Sequence, residues 1–163
     1  MKELLEQFSS GSERRRRGLL TSIEARAEEL SSLGVSVLND FDPEGDDWAA
    51  GWILQVLKRH QPESLLNISS LDSHGWFKEH SSLGIDYAPL QKALLAECFE
   101  EADHFTSSKL RQLAGSGAEE RGYVYFSEVD FIPDIDLITL DRLWKAYSQG
   151  RFGFSIQARL LDS

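Results

Sequence analysis

From Leu19 to Leu33 the apolar residues of this chain mostly fall three or four positions apart: Leu19, Leu20, Ile23, Ala27, Leu30 and Leu33. That interval stacks side chains on one face of a helix and scatters them over both faces of a strand. It returns in Trp48, Trp52, Ile53, Val56 and Leu57, in Leu90, Leu94 and Leu95, in Ala102, Phe105, Leu110 and Leu113, and in Leu137, Leu140, Trp144 and Tyr147. No stretch before residue 120 alternates apolar and polar side chains as a half-buried strand does. A chain so patterned buries its stripes by packing helix on helix, so the sequence predicts an all-α fold.

Local chemistry punctuates the stripes. Leu4, Leu5 and Phe8 mark a short first helix, and Gly34 suits a C-terminal cap. Asp46 or Asp47, at the end of the polar loop "NDFDPEGDD", is placed to cap the helix bearing Trp48, and Gln61-Pro62 stops it. Leu65, Leu66 and Ile68 start a further short element. The stretch 69–84, "SSLDSHGWFKEHSSLG", is polar and glycine-marked and reads as a linker. It separates an N-terminal helical bundle, residues 1–80, from a second helical unit, residues 84–163. There Asp86 is placed to cap a helix with Pro89 in its first turn, and an antiparallel partner follows, ending near Gly115. Pro133, then Asp134 or Asp136 as cap, opens a strong helix that Gly150 ends.

The formal net charge is −10, which opposes nonspecific binding to nucleic acid or anionic lipid, both polyanions. Hydrophobic residues make up 41%, enough for a real core. The single cysteine, Cys98, allows no intramolecular disulfide and fits a reducing compartment. No apolar run reaches the roughly 18 residues of a membrane span. The N-terminus has no apolar segment after a basic one, and acids interleave with its arginines, so it reads as a mature bacterial-type start and a cytoplasmic protein.

Motifs that suggest chemistry dissolve on inspection. The run Arg14 to Arg17 sits among Glu13, Glu24, Glu28 and Glu29 and reads as a solvated helix face. "DFDPEGDDWAAG" imitates a calcium loop but holds Gly51 where a bidentate Glu is required. "EADH", Glu101 to His104, has the Glu-x-x-His spacing of di-iron bundles without a second copy. Cys98 and His104 lack a third catalytic member. His60, His74 and His80 show no zinc spacing, and no glycine-rich phosphate loop occurs. The expectation is a non-enzyme with neither metal site nor catalytic residues.

Two aromatic blocks remain. In "LDRLWKAYSQGRFGFSIQ", Trp144, Tyr147, Phe152 and Phe154 follow helical spacing or flank a glycine-broken corner at Gly150 and Gly153, and are assigned to structural support. In "GYVYFSEVDFIP", Tyr123, Phe126, Val129 and Phe131 load a surface-crossing segment with apolar side chains that such loops usually avoid. These four are the candidate contacts for a large flat ligand.

The same blocks carry a resemblance. "GIDYAPLQKALLAECFEEADHFTSSKLRQLAG", followed by "RGYVYFSEVDFIPDIDLITLDRLWKAYSQGRFGFSIQ", resembles the genomes-uncoupled-four family, through D-Y-x-x-L, a later A-D, D-L-x-T-x-D-x-L-W and G-R-F-G-F-S-x-Q in order from Gly84 to Gln157. The preceding residues resemble the helical-bundle extension of cyanobacterial members. The resemblance implies a non-catalytic, all-helical regulator of chlorophyll synthesis in a cyanobacterial-type cell, peripheral to the thylakoid membrane. It implies protoporphyrin IX or magnesium-protoporphyrin IX as a noncovalent ligand, and stimulation of magnesium chelatase through its large porphyrin-binding subunit. Related members take linear bilins. The ligand would meet the loop from about Ala114 to Pro133, with apolar contacts at Phe126 and Val129 and Tyr123 close by. Two departures stand out. Cys98-Phe99 replaces a frequent Trp. The chain reaches "QARLLDS" where members continue into a second ligand loop with arginines for the propionates; Arg159 is not counted as their replacement. The C-terminal part of the family core is therefore expected to be missing. The competing reading is a helical protein-interaction module, or a bilin-binding relative, that has lost porphyrin binding with that tail.

Overall fold

The structure is a computed structural model and describes residues 1–68 and 75–162. It is built of helices, with no strand among the described residues. The α-helices are α1 (Lys2–Ser10), α2 (Glu13–Glu24), α3 (Ala27–Ser32), α4 (Trp48–His60), α5 (Ala88–Leu95), α6 (Phe99–Ala114), α7 (Ser116–Arg121), α8 (Asp134–Tyr147) and α9 (Phe154–Asp162). Short 3-10 turns cover Gly34–Leu38, Pro62–Asn67 and Phe126–Phe131. The fold is all-α, as the periodicity requires.

The stripe from Leu19 onward breaks at Ala25–Arg26 into two helices without changing which residues face inward. Leu19, Ile23, Ala27 and Leu30 are all buried. Asp47 caps α4, accepting from the Ala49 amide at 2.9 Å. Every residue of α4 from Trp48 to Leu57 is buried, so this helix is wrapped on all sides.

Two residues seat α4 against its neighbours. Gly51 crosses α8 so closely that a β-carbon there would lie 1.9 Å from the Ala146 carbonyl oxygen. The Gln55 amide donates to the carbonyls of Leu94 at 3.0 Å and Tyr147 at 2.7 Å. These belong to the last turns of α5 and α8, where carbonyls have no intrahelical donor.

The main core runs from Leu5 to Tyr147 and draws on residues from both sides of the stretch 69–84. Residues 69–74 lie outside the described residues, and with them His74. The rest of that stretch is not a solvated linker: Trp76 and Phe77 are buried. Their rings meet edge to face at 4.8 Å, and Phe77 reaches Tyr147 at 5.4 Å. The Gln91 side chain satisfies the Phe77 backbone, donating to its carbonyl at 2.7 Å and accepting from its amide at 3.3 Å. A polar local composition hid an apolar pair that a distant glutamine makes buriable.

Asp136 does not cap α8. It is fully buried and accepts from the Tyr87 hydroxyl at 2.7 Å, Ser81 Oγ at 2.5 Å and the Ser82 amide at 3.0 Å. Burial first, and then this carboxylate, push the Tyr87 phenol well above its ordinary range. Arg142 clasps the other side of α8, donating to the carbonyls of Pro43 at 3.0 Å, Gly45 at 3.1 Å and Lys78 at 3.0 Å.

The arginine run is not uniformly solvated. Arg16 and Arg17 lie over the Trp48 ring at 4.9 and 4.8 Å, and Arg16 pairs with Asp47. Arg17 donates to the Gln149 carbonyl at 2.9 Å.

Candidate functional site

The strand-like passage 122–132 folds as an irregular loop around the turn Phe126–Phe131, in which no residue is buried. A small second core explains its course. Leu113, Ala114, Ala118 and Ile132 are buried together, with Val124, Ile85, Leu110 and Leu137 packed beside them. Val124 and Ile132 thus pin the two ends of the loop. Between and around these anchors the apolar side chains stay outside: Tyr123, Val129 and Phe131 are exposed, and Phe126 is 95% exposed. All four sequence-derived candidates are brought onto one short loop.

Tyr125, which the sequence reading leaves aside, belongs with them. Its ring meets that of Tyr123 at 5.4 Å, edge to face. Ile135 and Ile138, exposed on the first turns of α8, extend the apolar surface. They fall outside an α8 stripe read from Leu137, Leu140, Trp144 and Tyr147, and so look like ordinary helix-surface residues until the exposure is seen.

The charge here is one-sided. Between Ser116 and Ile138 the chain holds Glu119, Glu120, Glu128, Asp130, Asp134 and Asp136 against the single cation Arg121. Arg121 is paired with Glu128. The loop therefore offers flat apolar contact in a negative field and no unpaired cation of its own.

The second block forms a corner after α8. Gly150 and Gly153 adopt φ of 71° and 137°, which favours glycine. Tyr147 is buried, Trp144 and Phe154 are half-buried, and Phe152 is half exposed. Phe99, Trp144 and Phe152 form a triangle of rings with centroids 6.3, 6.3 and 6.4 Å apart. With Phe154, Thr106, Asp103, Asp141 and Gln157 they line a cavity of about 290 Å³. Trp144 Nε1 donates to Thr106 Oγ1 at 2.9 Å. The corner is thus a partly open aromatic recess rather than closed core, with Phe99 stacked beside Trp144 in its wall.

Cys98, Glu101 and His104 are exposed, while other chemistry-bearing side chains make structural contacts. His60 meets Glu24 at 3.0 Å, and His80 meets Glu44 at 2.6 Å. Asp42 closes its own loop, accepting from the Glu44 amide at 2.9 Å. Among the described residues no group of three His, Cys, Asp or Glu side chains is arranged to hold a metal ion. None of their helices is long and apolar enough to cross a membrane.

Comparison with known proteins finds relatives of this chain. The GUN4-like family pattern matches residues 80–163. A Ycf53-like protein of Synechocystis sp. is 39% identical, over 97% of this chain and 69% of that protein. An uncharacterized protein ycf53 of Porphyra purpurea is 35% identical, over 68% of this chain and 47% of its own length. The chloroplastic tetrapyrrole-binding protein of Arabidopsis thaliana is 44% identical over 44% of this chain, which spans 27% of that protein. The match at both levels, through the family pattern and along nearly the whole chain, means that this chain belongs to the GUN4-like family.

Proposed function

We propose that this chain is a non-catalytic porphyrin-binding regulator. It holds protoporphyrin IX or magnesium-protoporphyrin IX noncovalently and stimulates magnesium chelatase through that enzyme's large porphyrin-binding subunit. Its place is the cytoplasmic side of a cyanobacterial-type cell, peripheral to the thylakoid membrane. The observation that carries the reading is the loop of Tyr123, Tyr125, Phe126, Val129 and Phe131, whose apolar side chains stand largely in water although the chain has a core to receive them. A porphyrin presents two flat apolar faces, and covering one is worth about 25 cal/mol per Å² removed from water, offset by the freedom lost on association. Family membership, and the tetrapyrrole-binding name of the Arabidopsis relative, point to the same ligand class.

The test has two arms. Deuteroporphyrin is titrated against the chain and its Phe126→Ala variant, following fluorescence quenching. Magnesium chelatase is then assayed with and without the chain at limiting porphyrin. Saturable quenching that Phe126→Ala weakens, with a faster chelatase, supports the proposal. A chelatase subunit that binds the chain while porphyrin does not would instead make the exposed rings a protein-docking surface.

A further inference from the structure

We propose that Arg121 and Glu128 are positioning residues that hold the 123–131 loop open for its ligand. The inference rests on the porphyrin reading of that loop and adds the device that keeps it ready. Arg121 ends α7, and its guanidinium lies 3.6 Å from the Tyr125 ring centroid and 5.4 Å from that of Tyr123. It pairs with Glu128, and the two side chains are only 26% and 15% exposed. Glu128 in turn accepts from the Tyr125 amide at 2.8 Å. One carboxylate therefore ties the start of the 3-10 turn to its middle and to the end of α7. The stacked guanidinium fixes the two tyrosines beside it.

The backbone is shaped around this pair. Gly122, with φ of 86°, reverses the chain in the left-handed region so that Tyr123 and Tyr125 return over Arg121. A β-carbon at Gly117 would lie 3.3 Å from Arg121 Nη1 and 3.6 Å from Glu128 Oε2, so the pair rests directly on α7. Arg121 Nε is buried with no hydrogen-bond partner among the described residues. The guanidinium keeps this place despite an unmet donor, through its ion pair and its ring contacts.

Without the pair, the exposed rings would be drawn onto one another and onto the nearby core to escape water. A ligand would then bind only the fraction of molecules whose loop stands open, and affinity falls by that fraction. A tenfold smaller open fraction gives an affinity about tenfold weaker.

The experiment titrates deuteroporphyrin against wild type, Arg121→Ala, Glu128→Gln and Arg121→Lys, with thermal midpoints and amide exchange at Tyr125 measured in parallel. Arg121→Ala and Glu128→Gln are expected to weaken binding about tenfold and speed exchange at Tyr125, with midpoints within about two degrees of wild type. Arg121→Lys, which keeps the charge but not the planar face against the two rings, is expected to recover part of the affinity. Wild-type affinity in Arg121→Ala overturns the clamp alone. So does a weakening accompanied by a midpoint fall beyond about five degrees that lysine does not rescue, since that marks a general folding role. Failure of wild type itself to quench overturns the porphyrin reading, and the clamp with it.

Discussion

The amide of Gln55 joins the last turns of two helices, donating to Leu94 and to Tyr147 from the middle of a third. The residue four positions earlier, Gly51, allows the approach that makes this reach possible. The pair yields the first prediction. Gly51→Ala forces α4 away from Ala146 and is expected to cost at least about 1–3 kcal/mol, the range for overpacked cores. Gly18→Ala, on the exposed face of α2 with nothing within 4 Å of its would-be β-carbon, is expected to raise stability by about 0.5–1 kcal/mol. Urea midpoints of the two variants check the contrast.

Tyr147 is buried, and its hydroxyl has no hydrogen-bond partner among the described residues. Burial pushes this phenol well above its ordinary range, with Glu79 adding to the shift. Tyr147→Phe removes an unmet polar group while keeping the ring against Phe77. It is expected to leave stability unchanged or raise it by up to about 1–2 kcal/mol. A lower denaturation midpoint would mean that the hydroxyl has a partner in solution.

Phe126 carries the opposite expectation. At 95% exposure its truncation should not move the thermal midpoint. It should weaken deuteroporphyrin binding several-fold, because the ring no longer shields a porphyrin face from water. The acidic surroundings of the loop add a sign: raising salt from about 0.01 to about 0.1 M shrinks the Debye length from about 30 to about 10 Å and should strengthen binding of the dianionic porphyrin. Weakening with salt would show that cations receive the propionates.

Glu24 bonds both His60 and Arg59. The His60 bond, and to a lesser degree Arg59, hold its carboxyl below the ordinary value of 4.5 against an opposing desolvation. A depressed folded-state value means that the unfolded chain takes up the proton first as pH falls. The contribution is therefore present above pH 4.5 and lost as pH drops through the folded value. Urea midpoints measured from about pH 7 to about pH 3 should fall less steeply in Glu24→Gln.

What the sequence made legible was what periodicity controls. Ile23, Ala27 and Leu30, then Ile53, Val56 and Leu57, stood out by spacing and are buried. Asp46 and Asp47 stood out together as cap candidates because caps are local, and Asp47 takes the role. The four loop candidates stood out because apolar rings crowded a segment without a helical stripe. What stayed hidden depended on partners far along the chain. Arg142 finds its carbonyls 64 to 99 positions away, and Asp136 meets Tyr87 from 49 positions off. Trp76 and Phe77 were masked by polar neighbours. Trp144 had the spacing of a core residue, yet only its surroundings show that a recess leaves it half-buried.

The embedding of α4 bears on how such a chain can be divided. The family pattern begins at residue 80, but a fragment starting there would leave a trench along α8 where Gly51 had lain. At its floor two helix ends would present carbonyls to solvent instead of to Gln55. A relative without this helix must supply another filler of the same narrow waist and a donor at the same height. Transplanting the 123–131 loop into a new host therefore means carrying α4 along, or redesigning the surface it covers.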